Sequence, residues 1–145
     1  AEAGMQLAVE NVRSCWANTG VNLGRLVAAA DHPAVRICWD AANDFVAGGN
    51  PSASGYEAVR PYVISAHFKS ARIVDQEAGL TGWMPIGSGS VDMAEQITFL
   101  RRDGFSGLGS LETHWKPEGG TGVEGTRRSF AGLLEALQES IRAGS

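Results

Sequence analysis

Strand-forming runs that end in an acidic residue or a histidine recur along this chain, and helical patterns separate them. The runs and their last residues are 5–10 with Glu10, 35–40 with Asp40, 63–67 with His67, and 108–112 with Glu112. Alternating strands and helices are typical of βαβ units, so the sequence predicts an α/β fold with a parallel sheet. Because parallel strands finish at the same edge of a sheet, we expect the four end residues to meet at one rim.

Apolar periodicity predicts four intervening helices. A three-and-four spacing from Leu23 to Ala30 predicts a helix that stops before Pro33, because the residue before a proline avoids helical geometry. A weaker pattern predicts a short helix over residues 56–60. Residues 70–90 contain four glycines and are predicted to form a loop.

The last two predicted helices have clearer signals. Asp92 and Glu95 resemble a capping box, and Gly104 is suited to a left-handed C-terminal cap. The buried stripe of this helix is predicted to be Met93, Ile97 and Leu100. The final helix is indicated by Phe130, Leu133, Leu134, Leu137 and Ile141. Ala-Glu-Ala-Gly at residues 1–4 has the form of a last helical turn with its glycine cap, so the chain is expected to begin inside a helix.

Size and charge limit the classes of function. Residues 1–145 are predicted to form one domain, and no apolar run approaches the roughly 18–20 residues of a membrane helix. The net charge is −4 without a basic cluster, so we expect a small-molecule partner rather than nucleic acid or a membrane. Cys15 and Cys38 lack a CxxC spacing and are predicted to be reduced thiols, which favours a cytoplasmic location.

Three carboxylates and one imidazole at one rim predict a divalent metal site. Glu10, Asp40, His67 and Glu112 are the candidate ligands, and this ligand set suits Mg²⁺, Mn²⁺, Co²⁺ or Zn²⁺. A metal that binds adjacent carbonyl and hydroxyl oxygens acidifies the neighbouring C–H and stabilises an enediolate. Glu10 and Glu112, on the outermost strands, are the candidate general acid and base. The predicted chemistry is that of an isomerase or epimerase.

Side chains next to these ligands are candidates for substrate binding. Residues two apart on a strand face the same way, so Lys69 is expected beside His67, and His114 beside Glu112. Trp39, Trp83 and Trp115 are candidates for the wall of a sugar pocket. Trp115 is favoured because it lies just beyond Glu112.

Short motifs in a fixed order indicate a family resemblance. They are Val9-Glu10-Asn11, Asp31-His32-Pro33 before the strand that ends at Asp40, His67-Phe68-Lys69, Pro85-Ile86-Gly87-Ser88-Gly89-Ser90-Val91-Asp92, Gly104-Phe105-Ser106-Gly107, and Leu111-Glu112. Together they cover nearly the whole chain and resemble the xylose isomerase-like sugar phosphate isomerase/epimerase family. The resemblance implies an eight-stranded (β/α) barrel of which this chain supplies strands five to eight.

The resemblance also implies that Glu10, Asp40, His67 and Glu112 are metal ligands, with Glu10 and Glu112 as the acid/base pair. Asn43 departs from the pattern, because the family usually has a histidine three residues after the strand-six aspartate. Asparagine can hydrogen-bond a substrate hydroxyl but cannot take up a proton near neutral pH. The related DNA-repair endonucleases need many histidines for three zinc ions, and this chain has three histidines, so we set that branch aside.

A half barrel must cover two edge strands and an apolar inner face. The predicted fold is therefore four βα units that form a half (β/α)8 barrel, completed by a homodimer, with an open parallel α/β sheet as the alternative. Two functions remain open. One is a divalent-metal-dependent isomerase or epimerase acting on a sugar or sugar phosphate. The other is a non-catalytic half barrel that folds and dimerises, with or without metal binding.

Overall fold

The computed structural model describes residues 4–143 as an α/β fold with six strands and five α-helices. The strands are β1 (Leu7–Glu10), β2 (Val35–Asp40), β3 (Val63–Phe68), β4 (Ser70–Asp75), β5 (Leu80–Met84) and β6 (Leu108–Leu111). The α-helices are α1 (Gly20–Ala30), α2 (Ala41–Val46), α3 (Tyr56–Val59), α4 (Met93–Arg102) and α5 (Gly122–Ala143). A π-helical turn (Pro51–Gly55) precedes α3, and a 3₁₀ turn (Arg60–Tyr62) follows it.

The main sheet contains four parallel strands in the order β1-β2-β3-β6. Each parallel connection crosses one face of the sheet through helical segments, as βαβ units require. The predicted α/β fold and its parallel sheet are confirmed. Strand β2 has the predicted bounds, and the other three predicted strands differ from the observed ones by no more than two residues at either end.

The hydrophobic core lies between the helices and one face of the sheet. Ile37 and Trp39 project from β2 into this layer and are almost fully buried. The indole Nε1 of Trp39 donates a hydrogen bond of 3.0 Å to Oε1 of the buried Gln96 on α4, which satisfies two polar groups inside the core. The predicted buried stripe of α4 is confirmed by Met93, Ile97 and Leu100.

Helix ends follow the predicted caps. Oδ1 of Asp92 accepts a 2.9 Å hydrogen bond from the backbone N–H of Glu95, and Gly104 has a φ of +70° beyond the end of α4. Helix α1 ends at Ala30, where Asp31 adopts a left-handed φ of 42°. Of the predicted N-terminal helical turn, only Gly4 is described, with a φ of +65°, and residues 1–3 lie outside the described residues.

One prediction about a connecting segment is wrong. The predicted loop over residues 70–90 contains the antiparallel hairpin β4–β5, so the described chain has six strands rather than four. Oδ1 of Asp75 accepts hydrogen bonds of 3.0 Å from the backbone N–H groups of Glu77 and Ala78, which closes the turn. Helix α2, which follows β2 directly, was not predicted, and the side chain of Asp40 accepts a hydrogen bond from the backbone N–H of Asn43 in its first turn.

Helix α5 buries a face of small residues and exposes larger apolar ones. Its buried residues are Gly125, Ser129, Gly132, Leu133, Ala136 and Ser140. Phe130, Leu134 and Leu137 are 51%, 44% and 37% exposed, although their spacing correctly predicted the helix. On β1, Leu7 is 61% exposed. Within residues 4–143, none of the helices combines the length and the apolar character that a membrane span needs.

Candidate metal centre

The strand register brings the predicted site residues to one rim of the sheet. Asp40 lies opposite His67 in the β2–β3 ladder, and Glu10 lies opposite Cys38 in the β1–β2 ladder. The backbone N–H of Glu112 donates a 3.0 Å hydrogen bond to the carbonyl of Phe68, which places Glu112 directly beyond β6. All four predicted ligands therefore reach the same end of neighbouring strands.

Asn11 fixes the ends of β1 and β2 together. Its side chain is fully buried, and its Nδ2 donates a 2.8 Å hydrogen bond to the carbonyl of Asp40 while its Oδ1 accepts one of 3.1 Å from the N–H of Asp40. This paired contact holds Glu10 and Asp40 side by side. The sequence analysis did not assign a role to Asn11. Its position directly after Glu10, at the end of a strand, was the feature that could have indicated one.

The four predicted ligands converge closely enough to hold one metal ion. Glu10, Asp40, His67 and Glu112 each offer one ligand atom, and these atoms all lie within 4.8 Å of one another. Nδ1 of His67 lies 3.2 Å from Oε1 of Glu10 and 3.3 Å from Oε2 of Glu112.

One buried polar atom in this cluster lacks a hydrogen bond. Oδ1 of Asp40 accepts a 2.8 Å bond from the N–H of Asn43, and Oδ2 lies 3.0 Å from Nζ of Lys69. Among residues 4–143, Nδ1 of His67 has no hydrogen bond, although it faces carboxylate oxygens of Glu10 and Glu112. Buried polar groups are normally satisfied, so a buried imidazole nitrogen that faces carboxylate oxygens without a hydrogen bond fits a cation site. The donor set and the geometry therefore agree with a divalent metal.

Lys69 extends into the same cluster and is 4% exposed. Its Nζ lies 3.0 Å from Oδ2 of Asp40, 2.5 Å from Oε2 of Glu112 and 4.0 Å from Oε1 of Glu10. Lys69 and His67 both lie near Oε2 of Glu112, so the two side chains share the rim as the strand spacing predicted. The contacts of Lys69 are ion pairs with the predicted ligands.

Burial and charge shift three pKa values in the cluster. Burial raises the pKa of Asp40 to about 6, although the charge of Lys69 acts in the opposite direction. Burial also acts to lower the pKa of Lys69, but the charge of Asp40 and the hydrogen bonds to Glu112 and Asp40 outweigh it, so this pKa is raised. For Glu112, burial acts to raise the pKa, and the hydrogen bond and charge of Lys69 reverse that effect and lower it.

The remaining predicted substrate-binding residues lie at different distances from the cluster. Nδ2 of Asn43 donates a 2.9 Å hydrogen bond to Oε1 of Glu10, and Nε2 of His114 lies 3.4 Å from Oε1 of Glu112. Trp115 packs elsewhere, because its ring lies 5.6 Å from the guanidinium carbon of Arg128 on α5.

A cavity of about 460 Å³ opens beside the cluster. Its lining residues are Glu10, Val12, Arg13, Ser14, Asn43, Lys69, Trp83, Glu112 and His114. The tryptophan in this wall is Trp83 of the unpredicted hairpin rather than Trp115, and its ring stacks on His114 with centroids 5.0 Å apart. Trp39 belongs to the core instead.

Sequence reasoning missed Val12, Arg13 and Ser14 in this wall, and their position directly after β1 was the available signal.

Comparison with protein families identifies the class to which this geometry belongs. Residues 1–137 match the sequence model of the xylose isomerase-like TIM barrel. The chain therefore belongs to the xylose isomerase-like TIM barrel family, as the sequence motifs predicted. No curated protein is significantly similar to it in sequence.

This chain spans about half the length of several solved structures that it resembles. A xylose isomerase-like TIM barrel protein from Mycobacterium smegmatis in complex with magnesium has a TM-score of 0.75 and 21% identity, over 99% of this chain and 46% of that chain. A xylose isomerase domain protein from Planctomyces limnophilus has a TM-score of 0.72 and 22% identity, over 98% of this chain and 47% of that one.

A third similar structure is the 3-keto-D-glucoside 4-epimerase from E. coli, with a TM-score of 0.67 and 20% identity, over 92% of this chain and 47% of that chain. At these identities the likeness establishes the fold. This chain corresponds to about half of such a barrel, which confirms the predicted half-barrel architecture.

Proposed function

We propose that this chain is the metal-binding half of a divalent-metal-dependent isomerase or epimerase that acts on a sugar or sugar phosphate. The observation that carries the proposal is the convergence of four ligand atoms within 4.8 Å at the rim of the parallel sheet. The proposed ligands are Glu10, Asp40, His67 and Glu112. Residues 1–145 are proposed to form one half-barrel domain, and a cytoplasmic location stays a prediction.

The proposed cofactor is Mg²⁺, Mn²⁺, Co²⁺ or Zn²⁺. Three carboxylates favour the harder ions of this group, whereas the imidazole of His67 is compatible with all four. A protein of the same fold was crystallised in complex with magnesium, which supports a divalent ion as the cofactor. When bound, such an ion would polarise a carbonyl oxygen and acidify the adjacent carbon-bound proton.

Glu10 and Glu112 are proposed to move that proton. In the metal-free chain Lys69 lowers the pKa of Glu112, and a metal ion in place of the ammonium group would likewise keep this carboxylate ionised, so that it can accept a proton from carbon. Removal of the proton leaves an enediolate, and the proton returns either to the adjacent carbon or to the opposite face of the same carbon. Glu10 and Glu112 belong to opposite edges of the sheet, so they can approach a substrate from two sides.

The cavity beside the cluster is the proposed substrate site. Asn43, Lys69 and His114 line it and offer hydrogen bonds to hydroxyl groups, and the indole of Trp83 adds apolar surface to its wall for the C–H groups of a sugar. The sequence analysis favoured Trp115 as a substrate contact. We propose that Trp115, which lies against Arg128 of α5, contacts the far end of a larger substrate.

Solvent exchange tests the reaction. A panel of ketoses and ketose phosphates is incubated in D₂O with Mn²⁺, and proton NMR measures the loss of the α-proton signal. We expect metal-dependent exchange that disappears in Glu112→Gln and persists in the control Glu118→Gln, which alters an exposed glutamate in the following loop. Absence of exchange across the whole panel with metal-loaded protein would contradict the proposed activity.

A second candidate function is a non-catalytic half barrel that folds and pairs, with or without metal. The observation that favours pairing is the exposed apolar surface of α5, which contains Phe130, Leu134 and Leu137. A helix that follows the last strand of one half barrel packs over the next strand of a closed barrel. A second copy related by a twofold axis would therefore place its first strand beside β6 and under α5.

Native mass spectrometry with added Mn²⁺ separates these possibilities, because it reports chain number and metal number together. A dimer with one metal per chain supports a closed barrel with two sites. Leu134→Glu is expected to convert the dimer into monomers, whereas the control Glu135→Gln, one residue further along α5, should leave it intact. A monomer at all concentrations would contradict pairing.

A further inference from the structure

Lys69 places a positive charge at the centre of the ligand cluster. Its side chain is 4% exposed, and its Nζ contacts Oδ2 of Asp40 at 3.0 Å and Oε2 of Glu112 at 2.5 Å. Oε1 of Glu10 lies 4.0 Å away. The ammonium group therefore neutralises part of the charge that three converging carboxylates bring to this rim.

The oxygens that Lys69 contacts are those that face the proposed metal position. The other oxygen of Asp40, Oδ1, is occupied by the backbone N–H of Asn43 at 2.8 Å. For Glu112, Oε2 lies 3.3 Å from Nδ1 of His67, whereas Oε1 is directed towards His114. The metal and the ammonium group would thus use the same face of both carboxylates.

Distance makes joint occupancy unfavourable. Divalent ions bind carboxylate oxygens at about 2.0–2.2 Å, so an ion on Oε2 of Glu112 would lie no farther than about 4.7 Å from Nζ of Lys69 in its observed position. Two cations this close repel strongly where burial reduces screening by water.

We propose that Lys69 is a tethered cation that competes with the metal ion for Asp40 and Glu112. Metal binding requires the ammonium group to leave these carboxylates and turn into the adjoining cavity. Trp83 lines that cavity, and its ring centroid already lies 5.2 Å from Nζ in the observed position, so the ammonium group can stay at this π face when it moves away from the carboxylates. The inference rests on the metal site of the proposed function but not on turnover.

In the metal-free protein only the molecules in which Lys69 has moved away can bind metal. The apparent metal affinity is therefore the intrinsic affinity multiplied by the fraction of such molecules. The same lysine offsets part of the repulsion between the carboxylates in the metal-free chain. Lys69 therefore sets the threshold of metal concentration at which the site is loaded.

Calorimetric titration of metal-depleted protein with Mn²⁺ tests the competition. Lys69→Met keeps the length of the side chain without its charge, and we expect it to bind Mn²⁺ at least tenfold more tightly than the unmodified chain. Lys116→Met is the matched control, because Lys116 is the only other lysine in the sequence and is exposed, and its affinity should be unchanged.

The outcomes separate this inference from the proposed reaction. Equal or weaker binding by Lys69→Met would overturn the competition, and no binding by either protein would overturn both the competition and the metal site. Tighter binding without proton exchange would support the competition and count against the proposed reaction alone.

A measurement on the unmodified chain covers the case in which Lys69→Met does not fold. When the two lysines are labelled with ¹⁵N at Nζ, the NMR spectrum should contain two ammonium signals. The signal that is lost in Lys116→Met belongs to Lys116, and the other belongs to Lys69. Titration with diamagnetic Zn²⁺ should shift the Lys69 signal and speed its hydrogen exchange while the Lys116 signal stays constant. A Lys69 signal that is unchanged at saturating Zn²⁺ would overturn the proposal.

Discussion

Nδ2 of Asn43 donates a hydrogen bond of 2.9 Å to Oε1 of Glu10, and it thereby links the start of α2 to the end of β1. The same oxygen lies 3.2 Å from Nδ1 of His67. Asn43 thus holds the Glu10 carboxylate in the orientation that the proposed metal site needs. An amide performs this task without titrating near neutral pH, unlike the histidine that the family usually has at this position.

Asn43→Ala is expected to weaken metal binding without loss of the fold. Residues that orient metal ligands typically contribute 10- to 100-fold to affinity, so the Mn²⁺ dissociation constant should rise by roughly that factor. Calorimetric titration measures it. Asn22→Ala serves as the control, because the amide of Asn22 bonds to Trp16 and Asn18 instead of a ligand. Equal affinities in the two variants would show that Asn43 does not orient Glu10.

Metal should stabilise the folded chain through the four clustered ligands. At a Mn²⁺ concentration about 100 times the dissociation constant, the expected stabilisation is about 2.7 kcal/mol, which corresponds to a melting temperature higher by roughly 5–10 °C. Thermal unfolding followed by circular dichroism, with Mn²⁺ or with EDTA, measures the difference. His67→Gln should remove it.

His32→Gln is the matched control for that experiment. His32 lies in the exposed turn after α1, where its Nδ1 accepts a 3.1 Å hydrogen bond from the N–H of Ala34. This variant should keep the full response to metal. A response that survives in His67→Gln would place the bound metal elsewhere.

The buried carboxylate of Asp40 should give the metal-depleted chain an unusual pH dependence. Its folded-state pKa of about 6 is above the ordinary aspartate pKa of 3.8, so the native state holds this proton more tightly than the unfolded state. The contribution is fully present below about pH 4 and is lost as pH rises through 6, which lowers the unfolding free energy by on the order of 3 kcal/mol.

Urea unfolding between pH 4 and 6.5 in the presence of EDTA measures this slope. Asp40→Asn cannot titrate, so its unfolding free energy should fall less steeply over this range than that of the unmodified chain. Asp31→Asn changes an exposed aspartate at the end of α1 and should retain the original slope. Identical slopes for Asp40→Asn and the unmodified chain would contradict the assigned pKa.

Close packing of α5 against the loop after β5 should make Gly132 intolerant of a side chain. A Cβ at this position would lie 2.0 Å from the carbonyl oxygen of Ile86, which is backbone and cannot move away alone. Gly132→Ala is expected to cost about 1–3 kcal/mol of unfolding free energy, as overpacked sites do. Gly122→Ala in the same helix meets nothing within 4 Å and should be neutral or stabilising. Urea unfolding of both variants compares them directly.

The sequence predicted the ends of the four parallel strands well, because each strand is a short apolar run that stops at an acidic residue or a histidine. It did not predict the hairpin β4–β5, because Ile73, Val74 and Leu80 are exposed and do not alternate with polar residues as a half-buried strand would. Helix α2 escaped prediction because six residues are too few to show a helical period.

The composition of the candidate site was more predictable than its internal contacts. Spacing along strands placed Lys69 beside His67, but the ion pair of Lys69 with Asp40 joins two different strands and depends on tertiary structure. Trp83 reaches the cavity through the hairpin, so a sequence analysis that treats residues 70–90 as a loop cannot place it.

All four candidate ligands come from adjacent strands of one sheet, so the chemical machinery occupies a single wall. The proposed ligand set is complete within this wall, so a bound metal would need no protein ligand from the surface that faces it. Exchange of the facing half could therefore change which substrate binds while the metal site stays the same. One metal-binding half barrel could in this way serve in many different enzymes.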